Sequence, residues 1–267
     1  MSQGDIHLDF AVEEVREGQF HRVALGADRV ACFPRTPAAA ARLAQRAELL
    51  RVVATMDLSV AVPEPLAIYS GEPTYLVLTR IPGNPLQRSD LTTPRTIDIV
   101  AAQCHELLTR LAAAQPSVRA ALPAAAPDRW SRFASAVRAG LYPLMSPAGR
   151  DRADHELAAA CALPHSTATV VHGDLGGDNL LWRNDAQGPR LSGVIDWDSA
   201  MLGDPAEDIA ALTASYGRPL LDRLAGSDRE LSDRVVAIRD TFALQQALDG
   251  QLDGDEGELA DGLAGYR

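Results

Sequence analysis

Residues 169–182 read TVVHGDLGGDNLLW, and residues 191–208, after a polar gap, read LSGVIDWDSAMLGDPAED. Each stretch opens with an apolar run that predicts a strand, and an acidic residue follows the end of that run. A loop at a strand end exposes its side chains while the strand fixes their position, so charged groups there are typical of chemistry more than of packing. Asp174, Asn179 and Asp196 are therefore the first candidate functional residues.

These three side chains suit phosphoryl transfer. Asp174 follows a glycine, which lets the chain turn sharply and leaves the carboxylate able to act as a general base. Asn179 and Asp196 offer the hard oxygen ligands that Mg²⁺ prefers, and because this ligand set is sparse, water and substrate phosphates would complete the coordination. A base beside a metal-bound nucleotide describes phosphoryl transfer to a hydroxyl.

The combined motifs resemble the aminoglycoside phosphotransferase family, whose members have a protein-kinase-like fold. Three blocks carry the resemblance: His172-Gly173-Asp174 with Asn179, Ile195-Asp196-Trp197-Asp198, and Gly203-Asp204-Pro205 with Asp208. The resemblance implies a base at Asp174 and magnesium ligands at Asn179 and Asp196. It also implies supporting roles for His172, Asp198, Asp204 and Asp208. The alternative is that the acids are helix caps and solvated turn residues, and Asp208 in particular would suit the first turn of a helix.

Length and composition limit the number of domains and the classes of protein to which the chain can belong. A chain of 267 residues is long enough for one large domain or two lobes. It has no run of about twenty apolar residues and no secretory pattern at its start, so no membrane partner and a cytoplasmic location are expected. Its three cysteines are widely spaced, which argues against a disulfide framework or a zinc site.

The charged residues narrow the function further. A net charge of -11 argues against a nucleic-acid partner, and it fits a cationic small substrate as well as a plain acidic surface. All 25 basic residues are arginine, so a phosphate loop ending in Gly-Lys-Ser/Thr is excluded. The lysine that pairs with nucleotide phosphates in kinases is excluded as well.

The N-terminal part predicts a β-hairpin formed by residues 19–25 and 29–33, after a short helix over about 10–16. By resemblance, residues 17–21 correspond to the loop that covers the nucleotide, and Cys32 stands at the phosphate-pairing position. Arg35 or Arg22 could replace the missing cation, although both could equally be surface residues. A helix over Pro37–Thr55 follows, where the family supplies a glutamate, and Gln45 and Glu48 are the candidates.

Two further strands are predicted at residues 66–69 and 75–80. The segment Leu78-Thr79-Arg80-Ile81-Pro82-Gly83 resembles the family's purine-binding hinge, which makes Leu78 and Arg80 candidate nucleotide contacts. Helices are predicted from residue 96 onward, including one over 231–248, and the acidic, glycine-rich residues 249–258 predict a surface segment or a loosely held end.

These observations predict an α+β protein with a two-lobed protein-kinase-like fold. Residues 1–82 would form a small, mainly β N-terminal lobe and residues 83–267 a larger, mainly helical lobe, with nucleotide and Mg²⁺ in the cleft between them. The expected function is ATP- or GTP-dependent phosphorylation of a hydroxyl on a small molecule, foremost an antibiotic. The alternatives are a pseudokinase-like binding protein and a kinase for a metabolite such as choline or a sugar. The sequence leaves the acceptor, the donor base and the oligomeric state open.

Overall fold

The structure is a computed structural model that describes residues 8–17 and 21–267. Contacts divide the chain into two compact units. The first unit comprises residues up to 122 together with 177–200, and the second comprises 123–176 together with 201–267. This division follows contact density, and the division into lobes at residue 82 stays a prediction.

The first unit contains a five-stranded antiparallel sheet in the order β1-β2-β3-β5-β4. Its strands are β1 (Glu14–Glu17), β2 (His21–Leu25), β3 (Arg29–Pro34), β4 (Pro65–Tyr69) and β5 (Tyr75–Thr79). The predicted hairpin and strand pair are confirmed. The helix predicted over residues 10–16 is wrong, because the end of this segment pairs with β2 as an edge strand. Residues 18–20 of the predicted nucleotide-covering loop lie outside the described residues.

Helix α1 (Pro37–Ala54) packs against this sheet. It begins where Thr36 Oγ1 accepts the Ala39 N–H, with a proline at its first position, and it ends one residue before the predicted end. Strand alternation separates two sheet faces. Ala31, Phe33 and their paired neighbours form a core cluster on one face, and Cys32 points to the other, where α1 lies.

A second sheet in the first unit consists of β6 (Asn84–Pro85), β8 (Leu180–Asp185) and β9 (Gly188–Val194). Helix α2 (Pro94–Ala112) packs on β9, and α3 (Pro116–Ala121) follows it. Gln103 of α2 fastens this contact, since its side chain accepts the Leu191 N–H at 2.8 Å and donates to the Pro189 carbonyl at 2.9 Å.

The second unit is mainly helical. Two short antiparallel strands, β7 (Thr169–Val171) and β10 (Met201–Gly203), accompany seven helices in the described chain. These helices are α4 (Arg129–Gly140), α5 (Pro147–Cys161), α6 (Ala206–Tyr216), α7 (Arg218–Leu224), α8 (Arg229–Arg239), α9 (Phe242–Asp253) and α10 (Glu256–Gly262). The predicted helix over 231–248 is two helices, because the chain breaks at Asp240-Thr241, where the buried Thr241 hydroxyl donates to the Ile238 carbonyl.

Residues 249–258 lie mainly at the surface, as predicted, and they form the end of α9 and the start of α10, so the end of the chain is ordered helix. Helix α10 packs on α9 through glycines, and a Cβ at Gly262 would lie 2.5 Å from the Ala247 nitrogen. Leu263 and Tyr266 are buried in a core cluster with residues of α4, α5 and α9. Within residues 249–258 only Gly250 is a contact point between the two helices, whereas a Cβ on Gly254 would meet nothing within 4 Å. Across the described residues, no helix has both the length and the apolar character needed to cross a bilayer.

Candidate functional site

In the second unit, the turn after β7 presents Asp174. Gly173 has a φ of +82°, a conformation that glycine adopts without strain, so the predicted sharp turn is present. His172 is fully buried, and its Nδ1 accepts the Asp174 backbone N–H at 3.2 Å. Asp174 itself is exposed. The turn is therefore fixed from inside while the carboxylate faces outward.

Asp208 holds this turn from helix α6. Its two carboxylate oxygens accept the backbone N–H groups of His172, at 2.8 Å, and Gly173, at 2.9 Å. Burial raises the pKa of Asp208 to about 7, and the two N–H donors oppose that rise. Asp208 is in the first turn of α6, as the alternative interpretation supposed, and it also clamps the segment that carries Asp174.

Asp204 links helices of the second unit. Its buried carboxylate accepts the Ala206 N–H at 2.9 Å and pairs with Arg234 of α8 at 2.9 Å. These contacts fix the start of α6 and so the position of Asp208. A supporting role acting through the backbone is consistent with this arrangement.

In the first unit, Asn179 and Asp196 lie at adjoining strand ends. Asn179 precedes β8, and its carbonyl accepts the Ile195 N–H at 3.0 Å, directly before Asp196. Asp196 has φ +63° and ψ +61°, a left-handed conformation that is uncommon for a residue with a side chain. Trp197, fully buried with its Nε1 donating to the Val194 carbonyl, anchors the turn and leaves the Asp196 side chain 53% exposed. Such strain is typical of functional sites.

This pair fits the expected magnesium ion in its donor chemistry. One carboxylate and one amide oxygen are hard ligands, and so few protein ligands suit an ion that keeps water and phosphate oxygens. Within residues 8–17 and 21–267, no cluster of three His, Cys, Asp or Glu side chains forms a metal cage. A magnesium ion held here would therefore depend on the phosphates of a bound nucleotide.

Arg46 of helix α1 lies among the acids of the first unit. Its Nε is 2.9 Å from Asp198 Oδ1, its Nη2 is 3.6 Å from Asp196 Oδ1, and its Nη1 is 3.3 Å from both ring nitrogens of His21. The Arg46 side chain is only 14% exposed. A largely desolvated guanidinium thus stands beside the predicted metal ligand.

Burial shifts the pKa values of the groups around Arg46. Burial, reinforced by the guanidinium, lowers the pKa of His21 to about 4, so the imidazole is neutral at pH 7. Burial raises the pKa of the Cys32 thiol to about 11, which leaves Cys32 uncharged. Partial burial also raises the pKa of Asp198, with Arg46 opposing the rise. Arg46 is the cation nearest Asp196 and Asp198 among the ion pairs of the described chain.

The side chains predicted from the sequence to contact the nucleotide do not lie beside Arg46. Arg22 is opposite Phe33 in the β2-β3 register, with its guanidinium 5.5 Å from the ring centroid, so it lies on the sheet face away from Cys32. Arg22 and Arg35 line one open pocket of about 550 Å³. Leu78 is buried on β5, and Arg80 pairs with Glu13 at 2.6 Å. Glu48, the expected partner of a strand cation, is exposed and pairs with Arg51 of its own helix.

Sequence reasoning missed Arg46, although one signal was available. Leu43, Arg46 and Leu50 follow the i, i+3, i+7 spacing of one helix face, and both leucines are buried. A charge at a position that otherwise holds apolar residues indicates a buried partner. The family pattern expects a glutamate on this helix, so Gln45 and Glu48 were considered and Arg46 was not.

Comparison with known proteins gives the same fold and family. Residues 12–233 match the phosphotransferase enzyme family. The chain is 55% identical over 263 residues to viomycin phosphotransferase of Streptomyces vinaceus, which covers 95% of this chain and 92% of the relative. A solved GDP and kanamycin complex of APH(2")-IIIa has a TM-score of 0.82 at 22% identity, covering 96% of this chain and 92% of that chain.

A second solved structure, macrolide 2'-phosphotransferase type I, has a TM-score of 0.73 at 22% identity and covers 95% of this chain and 90% of that chain. These similarities confirm the two-lobed kinase-like fold. The chain therefore belongs to the phosphotransferase enzyme family, and the expectation of an enzyme that transfers phosphate to a hydroxyl is confirmed.

Proposed function

We propose that this protein transfers the terminal phosphoryl group of ATP or GTP to a hydroxyl of viomycin or a closely similar antibiotic, and that the transfer inactivates the drug. The 55% identity to viomycin phosphotransferase, over nearly the full length of both chains, carries the choice of acceptor. The exposed Asp174 on a turn clamped by Asp208 supports the chemistry. A cytoplasmic location follows from the need for a nucleoside triphosphate.

In this mechanism, Asp174 orients or deprotonates the acceptor hydroxyl. Asn179 and Asp196 would hold magnesium, which would supply positive charge to offset that of the phosphates. Residues 78–83 contact the purine through backbone groups. His172, Asp204 and Asp208 act through the turn that carries Asp174.

The test of the acceptor is incubation of the purified protein with magnesium and ATP, or with magnesium and GTP, in the presence of viomycin, kanamycin or a macrolide. We expect mass spectrometry to find one added phosphoryl group on viomycin. Phosphorylation of kanamycin or the macrolide alone would reject the proposed acceptor. Nucleotide binding without transfer to any acceptor, including choline and sugars, would favour the pseudokinase-like alternative that Cys32 suggests.

Single substitutions distinguish the role of Asp174 in turnover from that of Asp196 in magnesium binding. Asp174→Asn should remove most turnover and leave nucleotide affinity nearly unchanged, because the base contacts the acceptor. Asp196→Asn should weaken the magnesium-dependent part of nucleotide binding. Near wild-type turnover in the first variant would discard the base, and unchanged magnesium dependence in the second would discard the ligand.

A further inference from the structure

Strand β3 has no cation at the position where the family resemblance expects one, and its Arg29, at the other end, pairs with Asp28 and Asp9. Cys32 holds that position on β3, and it is buried and uncharged. A neutral thiol cannot offset the charge of a nucleotide's phosphates. Because the chain has no lysine, any replacement must be an arginine.

Arg46 meets the physical requirements of such a replacement. It reaches the sheet face to which Cys32 points, where its guanidinium contacts His21 and approaches Asp196. An arginine stays protonated at any working pH and can bind two phosphate oxygens at once. At 14% exposure, its charge is less screened by water than that of a surface residue.

Arg46 has N–H donors that form no well-aligned hydrogen bond with Asp196 or Asp198. Its Nε lies 2.9 Å from Asp198 Oδ1, yet this N–H is not aimed at the oxygen, and it is a buried donor without a well-formed hydrogen bond in the described part of the chain. The 3.6 Å separation from Asp196 is also too long for a direct hydrogen bond.

The alternatives are less well placed. Arg22 lies on the opposite face of the sheet, over Phe33, and Arg35 lines an open pocket with it. On α1, Arg42 lies one turn before Arg46 and acts on the same His21 and Asp198, but it is exposed to solvent. Arg51 pairs with Glu48 at the far end of the helix.

We propose that Arg46 supplies, from helix α1, the cation that binds the phosphates of the nucleotide, and that Asp198 holds its guanidinium in place. The cation then comes from the helix, where the family pattern places an acid, and its acidic partner Asp198 comes from the loop after β9. This inference rests on the proposed function, since it names a residue of the same nucleotide site.

The first test is nucleotide affinity in Arg46→Ala and Arg46→Gln, measured by calorimetry with ADP and GDP, each with magnesium and with EDTA. We expect affinity to fall on the order of 10- to 100-fold under both conditions, as for a lost hydrogen bond to a charged group. Affinity for adenosine and guanosine, which lack phosphates, should not change. Arg51→Ala, an exposed arginine on the same helix, is the matched control and should bind like the wild type.

The second test moves the charge back to the strand. Cys32→Lys in the Arg46→Gln background places an ammonium group on the sheet face that Arg46 occupied, and we expect it to restore much of the lost ADP affinity. Cys32→Met in the same background, which adds length without charge, should not restore it. A purely structural role for Arg46 would not produce this difference between lysine and methionine.

Several results would overturn the proposal. Unchanged ADP and GDP affinity in folded Arg46 variants, or an equal loss of nucleoside affinity, would exclude a phosphate contact. Unfolding of both Arg46 variants, seen as a lost thermal transition, would make Arg46 a structural residue. Failure of the wild-type protein to phosphorylate any acceptor would instead count against the proposed function, so the two ideas fail separately.

Discussion

At the scale of single residues, Asp208 shows how a buried carboxylate can position a reactive one without touching substrate. It is 36 residues from His172 in the sequence, yet its two oxygens receive the two N–H groups that precede Asp174. Two parallel hydrogen bonds fix both the position and the orientation of the turn. The geometry of the proposed base thus depends on a residue of helix α6.

Asp208→Asn is expected to lower turnover on the order of 100-fold, because an amide has one acceptor oxygen and its NH₂ group would face a backbone N–H, displacing the turn. The unsatisfied N–H should also cost about 1–3 kcal/mol of unfolding free energy. Steady-state kinetics and urea unfolding measure the two effects. Asp222→Asn, on an exposed ion pair of α7, is the control. Equal turnover in the two variants would refute the clamp.

His21 gives a pH dependence whose sign is defined. Its pKa is lowered to about 4 in the folded protein by burial and by Arg46, against 6.5 unfolded. The unfolded state therefore binds more protons between these values, so the stabilising contribution is present above pH 6.5 and is lost as pH falls towards 4. The partial exposure of His21 limits the loss to about 2–3 kcal/mol.

His21→Gln should remove this part of the pH dependence. We expect the wild type to lose more unfolding free energy than the variant when urea unfolding is compared at pH 7 and pH 5. Parallel curves for the two proteins would show that His21 is not held neutral against Arg46.

At the scale of elements, strand positions followed from alternation and turn residues, and the predicted hairpin and strand pair needed only small shifts at their ends. The sequence did not predict strand β1, which lies before β2. Its few residues carry no strong pattern, and their pairing with the edge of the sheet decided their conformation. The start of α1 at Pro37 was predicted, whereas α2 and α5 begin two and three residues before the predicted starts at 96 and 150, where Thr93 and Ser146 cap a first-turn proline. Neighbouring residues were sufficient to predict an element where its pattern lies within the element itself.

The start of helix α5 is in direct contact with the end of the chain. A Cβ on Gly149 would lie 1.9 Å from the carbonyl oxygen of Tyr266, which also accepts the Ser146 N–H at 3.0 Å. Gly149→Ala should therefore lower the unfolding free energy by about 1–3 kcal/mol through overpacking. Gly71→Ala, where a Cβ meets nothing within 4 Å, should have little effect. Similar thermal transitions for both variants would contradict this close contact.

At the scale of the whole molecule, the last residues complete a core. The Tyr266 hydroxyl donates to Glu156 Oε2 at 2.6 Å, its ring lies 4.5 Å from the Arg152 guanidinium, and it is 1% exposed. Glu156 is itself buried and pairs with Arg152. Leu263 and Tyr266 thus belong to the packed interior of the second unit, while the acidic residues 251–257 before them are exposed.

Removal of residues 256–267 should abolish cooperative unfolding of the second unit, because it deletes α10 and opens the cluster that Leu263 and Tyr266 fill. Tyr266→Ala should cost about 3–5 kcal/mol and Tyr266→Phe about 1–2 kcal/mol, the latter for the lost hydrogen bond alone. Calorimetry measures the stability of the truncated chain, Tyr266→Ala and Tyr266→Phe, and we expect the loss to be largest for the truncation and smallest for Tyr266→Phe. A truncated chain as stable as the full one would show that the end contributes nothing.

The sequence by itself determined the family, the fold class and the candidate acids, because the motif after β7 and the motif after β9 place chemistry at strand ends over short, local spacings. Only the tertiary structure decided which side chain stands beside Asp196. A helix can turn any of several faces to a sheet, so the choice of Arg46 over Glu48 depends on packing between α1 and β3. The clamp from Asp208 and the docking of Tyr266 have the same physical origin, since each joins residues far apart in the chain through contacts that no local pattern records.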